Sequence, residues 1–414
     1  MVNGALHGGA RAVARCDALG VPPYSDRADG LFRGYLSPAY LAAQDRLAEW
    51  MRDAGMTVRR DAAGNLVGRY DGTHAEERTL VIGSHLDSVR DAGRYDGPLG
   101  IMLGVECVAA LHARGRRMHF AIEVYAFGDE EGSRFPAAML TSRAVAGTLD
   151  PATLDTVDAD GVALADALRT AGLDVARFGE ARHARALAYL EAHIEQGPAL
   201  EAAGTPVGVV TGIAAQLRYR LTFHGVAGHA GTTAMPLRRD ALAAAAELVL
   251  AAEHAASGGS ADLVATVGMI QAEPGAANVI PGRVVATLDV RALDPHVRDA
   301  TARAILAAGE AAATRRGVTL TVEPIHDLPA SPCDPTLTGL LAAAMQEAGQ
   351  RDTRLASGAG HDAMVMAALC PTAMLFVRCR GGVSHNPAEH VDPADADVAL
   401  RVMLGFIERL GACA

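Results

Sequence analysis

The pattern of hydrophobic and polar positions predicts an alternation of strands and helices in the first half of the chain. Apolar runs at 79–82 and 119–127 predict buried strands that end at Gly83 and Gly128, and the stretch 98–113 between them predicts a helix. Such alternation is typical of an α/β domain, in which ligands bind beyond the carboxyl ends of the strands. We therefore expect functional side chains directly after these strands.

From residue 214 the pattern changes to strand, helix, strand, strand, helix and strand, an order that describes a compact ferredoxin-like unit. The predicted elements are 217–224, 238–256, 263–271, 283–291, 295–316 and 318–325. Joints rich in glycine and proline flank this unit, and α/β character returns after it. We therefore predict an α/β catalytic domain formed by residues 1–213 and 330–414, a mixed sheet flanked by helices, with an inserted α+β (βαββαβ) domain at 214–329.

Composition restricts the available chemistry. The 37 basic and 48 acidic residues give a net charge of −11, so no overall positive field favours nucleic acid as a partner. Every one of those basic residues is an arginine, which excludes Schiff-base lysines, the P-loop lysine and Ser–Lys dyads. No apolar run is long enough to span a membrane and no secretion signal is visible, so we expect a cytoplasmic protein without a membrane partner.

Histidine and carboxylate residues stand at the ends of the predicted elements. Each has an ordinary structural explanation when taken alone, such as a helix cap for Asp96 or a solvated acidic turn for Glu130 and Glu131. Their shared location at one predicted sheet edge favours a metal site instead. A mixed set of imidazoles and carboxylates suits Zn²⁺ or Mn²⁺, and one carboxylate could bridge two ions. The candidate ligands are His85, Asp96, Glu131, His193 and His385.

Seven motifs that occur in order along the chain resemble those of the hydantoinase/carbamoylase amidases, a branch of the two-metal exopeptidase-like hydrolases. They are GSHLDS at 83–88, DGPLG at 96–100, DEEGSRF at 129–135, HIEQGP at 193–198, GHAGTT at 228–233, NVIPG at 278–282 and SHNPAE at 384–389. Within this branch, the segments 91–95, 357–364 and 376–382 are most similar to those of plant-type allantoate amidohydrolases.

The resemblance implies two divalent metal ions per subunit, Mn²⁺ or Zn²⁺. His85 and His193 would bind one ion, and Glu131 and His385 the other. Asp96 would bridge the two ions. Glu130 would act as the general base for the attacking water, and Asp87 would be the carboxylate behind His85.

The resemblance also implies a set of substrate contacts. His229 would stabilise the developing oxyanion, and Arg291 together with Asn278 would bind a substrate carboxylate. An ordinary turn histidine and a surface arginine at a strand end are the alternatives for His229 and Arg291. The complete implied set is Gln196, Gln216, His229, Asn278, Arg291 and His361. Gln196 and His361 could equally be residues that hydrogen-bond to other site residues and do not touch the substrate.

The activity implied by the resemblance is hydrolysis of a linear ureido C–N bond in a small carboxylate-bearing substrate. Allantoate is the leading candidate, with ureidoglycine, ammonia and carbon dioxide as products. Alternatives with the same chemistry are an N-carbamoyl-L-amino acid hydrolase and a β-ureidopropionase-like enzyme. A dipeptidase or aminopeptidase and an inactive binding protein are more distant alternatives. The family further implies a homodimer formed through the inserted domain.

Overall fold

The computed structural model describes residues 8–74 and 78–413, and the chain divides into two compact units. Unit 1 consists of the described residues up to 211 together with 333–355 and those from 360 onward, and unit 2 consists of 212–332 and 356–359. The sequence places the joints at 213/214 and 329/330. It does not anticipate that the short segment 356–359 groups with the inserted unit.

Helices and strands are interspersed in the chain up to residue 213. The helices are α1 (Gly8–Leu19), α2 (Pro38–Asp53), α3 (Pro98–Ala113), α4 (Leu140–Ala146), α5 (Leu164–Thr170) and α6 (Ala199–Ala203). The strands are β1 (Thr57–Arg60), β2 (Leu66–Tyr70), β3 (Thr79–His85), β4 (Ala121–Phe127), β5 (Ala186–Ile194) and β6 (Val207–Ile213).

The following elements are β7 (Ala215–His224), β8 (Gly228–His229), α7 (Ala241–Ser257), β9 (Val264–Glu273), β10 (Val279–Ile280), β11 (Arg283–Ala292), α8 (Pro295–Arg315), β12 (Thr319–Leu328) and β13 (Ser331–Pro332). The last part of the chain contains α9 (Pro335–Glu347), β14 (Arg354–Ser357), α10 (Asp362–Met366), β15 (Thr372–Val377) and α11 (Pro393–Cys413).

The large sheet has four parallel strands at its centre. Its order is β1-β2-β4-β3-β5-β15-β6-β13, with β14 paired to β6. β4, β3, β5 and β15 run in the same direction, and β1, β2, β6 and β13 extend the sheet through antiparallel pairs. The carboxyl ends of the four central strands therefore meet at one edge of the sheet. The predicted mixed α/β fold is confirmed.

Burial explains why the central strands are continuously apolar. All seven residues of β3 and all seven of β4 are buried, as expected for strands covered on both faces. The helix α3 is apolar on nearly every face because it lies against β3, β4 and β5 and is covered by α1 and α11. No helix among the described residues has the length and apolarity needed to cross a bilayer.

The end of β3 differs from its prediction. The sequence indicates that β3 ends at Gly83, but the strand continues to His85. Glycine fits here because a Cβ atom at Gly83 would lie only 2.8 Å from the Phe127 ring. Gly83 is thus a point of close packing inside the strand, and it is not a strand terminator.

Unit 2 is built on a four-stranded antiparallel sheet in the order β12-β7-β11-β9. The helices α7 and α8 pack on one face of this sheet, over apolar side chains that include Leu221, Phe223 and Leu288. This strand order with two helices on one face is the predicted ferredoxin-like arrangement, and that prediction is confirmed.

Candidate active site

Three predicted ligands converge at the carboxyl ends of β3 and β5. The Nε2 atoms of His85 and His193 lie 3.3 and 3.2 Å from Oδ1 of Asp96, which stands just before α3. The two Nε2 atoms are 3.4 Å apart. All three side chains are buried. The ends of two parallel strands and the approach to a helix thus place one carboxylate oxygen and two imidazole nitrogens at one point.

Backbone carbonyls fix the tautomer of both histidines. Nδ1 of His85 lies 3.0 Å from the carbonyl oxygen of Asp87, and Nδ1 of His193 lies 2.9 Å from that of Ile194. Because a carbonyl only accepts, each Nδ1 carries a hydrogen, and the neutral form of each ring has its lone pair on the Nε2 atom that faces Asp96, where it can bind a metal ion. Oδ1 of Asp96 is buried and accepts no hydrogen bond from the residues that the structure describes. A divalent cation fits this convergence of lone pairs.

The second oxygen of Asp96 faces the other two predicted ligands. Nε2 of His385 lies 3.6 Å from Oδ2 of Asp96 and 3.2 Å from a carboxylate oxygen of Glu131. The ligand atoms of Asp96, Glu131 and His385 lie within 4.8 Å of one another, as do those of His85, Asp96 and His193. The structure therefore brings all five predicted ligands together, and Asp96 is the residue shared by the two groups.

Hydrogen bonds to Oδ2 hold the Asp96 carboxylate in this orientation. Nε2 of Gln196 donates to Oδ2 at 2.8 Å, and the Ser384 hydroxyl donates to the same oxygen. Gln196, which the resemblance implies as a substrate contact, thus contacts the shared carboxylate.

Gln196 and His385 also have positive φ angles of 57° and 52°. This conformation is uncommon for residues other than glycine and concentrates at functional sites.

Glu389 supports Asp96 from the backbone side. Its buried carboxylate accepts hydrogen bonds from the backbone N–H groups of Tyr95 and Asp96, at 2.7 and 3.1 Å. The chain wraps closely around this carboxylate, because a Cβ atom at Gly93 would lie 2.2 Å from the carboxyl carbon of Glu389. No role is predicted for Glu389 from the sequence, although this residue belongs to the motif at 384–389 that contains His385.

The structure changes the predicted contact of Asp87. Its backbone carbonyl accepts from His85, whereas the nearer carboxylate oxygen lies 3.9 Å from Nδ1 of that histidine. The carboxylate instead accepts hydrogen bonds from the backbone N–H groups of Glu130 and Glu131, at 3.2 and 3.4 Å. Asp87 therefore positions the loop that carries the predicted general base and one predicted metal ligand.

Glu130 is buried beside the predicted metal ligands. A carboxylate oxygen of Glu130 lies within 4.8 Å of ligand atoms of His85 and Glu131. Burial raises the pKa of Glu130 well above its ordinary value, and nearby carboxylates add to the shift. The predicted base is thus a desolvated carboxylate at the edge of the ligand cluster, a location that suits proton transfer.

Several other buried acids surround the cluster. Burial raises the pKa values of Asp87, Asp129, Asp362 and Glu389 to about 7 in each case. By contrast the pKa of Asp96 is lowered well below its ordinary value, because the neighbouring histidines outweigh the effect of its burial. So many carboxyl groups in a region of low polarity produce a negative potential that cations would relieve.

His361 lies behind His193, with ring centroids 4.5 Å apart. Its ligand atoms fall within 4.8 Å of those of Glu191 and His193. Burial lowers the pKa of His361 well below its ordinary value, so this ring is neutral near pH 7. Glu191 accepts hydrogen bonds from the Ser84 hydroxyl at 3.1 Å and from the backbone N–H of Ala363 at 2.9 Å. No role is predicted for Glu191 from the sequence.

The segment that follows His85 is held by a buried arginine near the N-terminus. The Arg33 guanidinium donates to the backbone carbonyls of Leu19, Tyr24 and Leu86. The backbone N–H of Arg33 donates to the Ser88 hydroxyl at 3.0 Å. The chain between α1 and α2 therefore supports the loop directly after His85, the first predicted metal ligand.

The remaining predicted substrate contacts form two pairs within unit 2. Gln216 and Arg291 stand opposite each other on β7 and β11. His229 lies on β8 opposite Val279 of β10, next to Asn278, whose carbonyl accepts from the backbone N–H of Ala230 at 2.9 Å. His229 and Asn278 are exposed, whereas Gln216 is buried and Arg291 is partly exposed.

Comparison with known proteins identifies the family of this chain. Residues 81–409 match Peptidase family M20/M25/M40. The chain is 45% identical over 370 residues to the N-carbamoyl-L-amino acid amidohydrolase of Geobacillus stearothermophilus, covering 89% of this chain and 90% of that protein. It is 40% identical over 431 residues to allantoate deiminase 1 of Glycine max, covering 96% and 89% of the two chains.

A solved structure has the same fold along nearly the whole chain. The hydantoinase/carbamoylase family amidase from Burkholderia ambifaria superposes with a TM-score of 0.88 at 37% identity, covering 98% of each chain. Because the two relatives described above are amidohydrolases of carbamoyl amino acids and of allantoate, the protein is an amidohydrolase that acts on C–N bonds other than peptide bonds. The chain belongs to Peptidase family M20/M25/M40, whose enzymes depend on a pair of metal ions, and within that family to the hydantoinase/carbamoylase amidases.

Proposed function

We propose that this enzyme hydrolyses the ureido C–N bond of allantoate, using two divalent ions, Mn²⁺ or Zn²⁺. The observation that carries the proposal is the convergence of His85, His193 and Asp96 beside the buried Glu130. His85 and His193 would hold one ion and Glu131 and His385 the other, with Asp96 shared between them. Two bound metal ions would lower the pKa of a bound water molecule and polarise the substrate carbonyl.

The protein's own residues then supply proton transfer and orientation. Glu130 takes a proton from the attacking water and delivers it to the leaving nitrogen, a role that its position beside the ligands favours. Asp87 holds the backbone of the Glu130 loop, and Gln196 and Ser384 hold the Asp96 carboxylate. These contacts fix the reacting groups before substrate binds, so little reorganisation is needed during the reaction.

Substrate recognition is proposed for residues of unit 2. Arg291 and Asn278 bind the substrate carboxylate, Gln216 contributes an amide contact, and His229 donates a hydrogen bond to the developing oxyanion. Their support is the family motifs in which they occur. The register that places Gln216 opposite Arg291 and the ribbon that places His229 beside Asn278 are consistent with these roles.

The main alternative is an N-carbamoyl-L-amino acid hydrolase, which shares the ureido and carboxylate groups. Relatives with both names cover most of the chain, at 45% and 40% identity. Similarity of the segments 91–95, 357–364 and 376–382 to those of plant-type allantoate amidohydrolases favours allantoate. The two substrates differ in a second ureido arm, which only allantoate has.

The test is ammonia release by protein loaded with Mn²⁺ or Zn²⁺. We expect kcat/KM for allantoate to exceed that for N-carbamoyl-L-alanine and N-carbamoyl-L-leucine. The reverse order would establish the carbamoylase alternative. Turnover of dipeptides without turnover of either ureido substrate would refute ureido hydrolysis altogether.

We also propose that the enzyme forms a homodimer through unit 2. Support comes from exposed apolar side chains on this unit, among them Leu250 of α7 and Ile270 of β9, which are 64% and 47% exposed. A monomeric mass by light scattering at micromolar concentration would refute the proposal. If the dimer forms, Leu250→Glu or Ile270→Glu should shift it toward monomer.

A further inference from the structure

Four polar residues form two adjacent cross-strand pairs on the sheet face of unit 2 that α7 and α8 leave uncovered. Gln216 stands opposite Arg291, and Arg218 stands opposite Asp289, in the antiparallel register of β7 and β11. Side chains two residues apart on a strand share a face, so all four project to the same side. Arg218 and Asp289 have no role in the function proposed above.

Asp289 is the common acceptor of this group. Its Oδ2 atom accepts from Nε2 of Gln216 at 2.7 Å, from Nη2 of Arg218 at 2.8 Å and from Nη2 of Arg291 at 3.0 Å. The other carboxylate oxygen accepts from Nε of Arg291 at 2.8 Å. Burial opposes ionisation, but the two arginines outweigh it and lower the pKa of Asp289. One ionised carboxylate thus holds two guanidinium groups side by side.

Both arginines retain donors beyond those that Asp289 uses. Arg218 employs Nε and one N–H of Nη2, which leaves three N–H groups without a partner among the described residues. Arg291 donates two hydrogen bonds to Asp289 and a third from Nη1 to the carbonyl oxygen of Gly358 at 2.6 Å. Two of its N–H groups therefore have no partner among the described residues. Two guanidinium groups and one carboxylate carry a net charge of +1. The charge and the donors left over match one substrate carboxylate.

These donors line a cavity of about 630 Å³ on the same face, whose wall also includes Thr266, Gly268, Met269 and Thr287. The sheet is irregular at this level. The register of β9 against β11 shifts between Thr287 and Asp289, which places an extra residue of β9 beside the cavity. Bulges of this kind re-aim side chains and are common next to functional sites.

We infer that Arg218 is a second carboxylate-binding residue that acts together with Arg291, and that Asp289 is the positioning residue that fixes both. The inference deepens the proposed function and rests on it, because it assigns the carboxylate end of the substrate to a pair of arginines. It also explains why an acidic residue stands between two cations at a site for an anion. Without Asp289 the guanidinium groups would repel each other and lose their shared orientation.

The experiment uses the full-length enzyme loaded with Mn²⁺ and compares Arg218→Met with Arg220→Met. Arg220 is an exposed arginine two residues further along the same face of β7, outside the wall of the cavity, and serves as the matched control. We expect KM for allantoate to rise roughly tenfold or more in Arg218→Met, because charge-assisted hydrogen bonds are lost, with kcat nearly unchanged. Arg220→Met should leave both constants unchanged.

Two further readouts separate recognition of a carboxylate from a general structural effect. The first readout is the ratio of kcat/KM for N-carbamoyl-L-leucine to kcat/KM for the analogue in which a carboxamide replaces the carboxylate. This ratio should be lower in Arg218→Met than in the wild type and should recover in part in Arg218→Lys. Asp289→Asn should raise KM for the carboxylate substrate as well, because it removes the charge that holds both arginines.

A second assay separates failure of this inference from failure of the proposed function. Calorimetry would measure the binding of allantoate to the Glu130→Gln variant, with and without Arg218→Met. Equal affinities in the two variants, or an unchanged KM and carboxylate preference in Arg218→Met, would overturn the role of Arg218 alone. No turnover of any ureido substrate by the wild type would refute the proposed function, while a binding loss caused by Arg218→Met would still support the arginine pair.

Discussion

Asp96 shows how several residues determine the geometry of one carboxylate. Oδ1 faces two imidazole nitrogens, Oδ2 accepts from Gln196 and Ser384, and the backbone N–H is held by Glu389. The convergence of the five proposed metal ligands could be predicted because these residues stand at element ends within local motifs. Glu389 could not be predicted in the same way, because its contact spans 293 positions and leaves no periodic signal.

Glu130→Gln tests the proton-transfer role. The amide keeps the size of the side chain but cannot take a proton from water, so kcat should fall by roughly 10²–10⁴-fold. Metal content, measured by mass spectrometry after gel filtration, should stay close to two ions per subunit. An unchanged rate would show that another group is the base.

Glu389 provides a test of metal-site support. Glu389→Ala removes the acceptor for the N–H groups of Tyr95 and Asp96, so the affinity for Mn²⁺ should weaken by roughly 10–100-fold. Glu389→Gln should remain near wild type, because Oε1 alone accepts both hydrogen bonds. Competition with a fluorescent chelator measures the affinity, and equal values for the two variants would contradict the expected role.

At the level of elements, strands with strong apolar runs are predictable and strands defined by their neighbours are not. The runs of β3 and β4 identify them directly, whereas β5 is absent from the sequence prediction. Its sequence ALAYLEAHI contains three alanines and two buried polar residues, Glu191 and His193. Alanine has little strand preference. The parallel neighbours β3 and β15 and the partners of Glu191 are what make this segment a strand.

The edge of the large sheet contains an ion cluster with a measurable pH signature. Glu123 of β4 accepts from Arg59 of β1 at 3.0 Å, from Arg69 of β2 at 3.4 Å, and lies 3.2 Å from Nε2 of His183. Burial opposes ionisation, but these partners lower the pKa of Glu123 to about 2. The stabilisation is therefore present above the ordinary pKa near 4.5 and is lost as the pH falls toward 2.

Glu123→Gln should lower the free energy of unfolding by roughly 3 kcal/mol at pH 7, since each pKa unit corresponds to about 1.4 kcal/mol. Urea denaturation should show this difference shrinking by roughly 1 kcal/mol at pH 3.5. Glu347→Gln, which removes an exposed partner of Arg409, should cost at most about 1 kcal/mol. A penalty for Glu123→Gln that does not depend on pH would contradict the assigned charge state.

At the level of the whole molecule, the proposed metal ligands come from segments that are far apart in the chain. Two bound metal ions would join the ends of β3 and β5, the start of α3 and the loop before α11. Metal binding should therefore reduce local opening of all these segments. Hydrogen exchange followed by mass spectrometry should slow at 85–96, 193–196 and 384–389 when Mn²⁺ is added to metal-free protein. The peptide 241–257 of α7 serves as a control and should be unaffected, and uniform protection of every peptide would argue against a local site.

The contacts of Arg33 bear on how small an active fragment of this enzyme can be. The segment that matches the family begins at residue 81, yet Arg33 and its neighbours hold Leu86 and Ser88 in place. An expression clone trimmed to residue 81 would retain every proposed metal ligand but lose the contacts of Arg33. We expect such a fragment to be inactive, and Arg33→Met in the full chain to reproduce part of the defect.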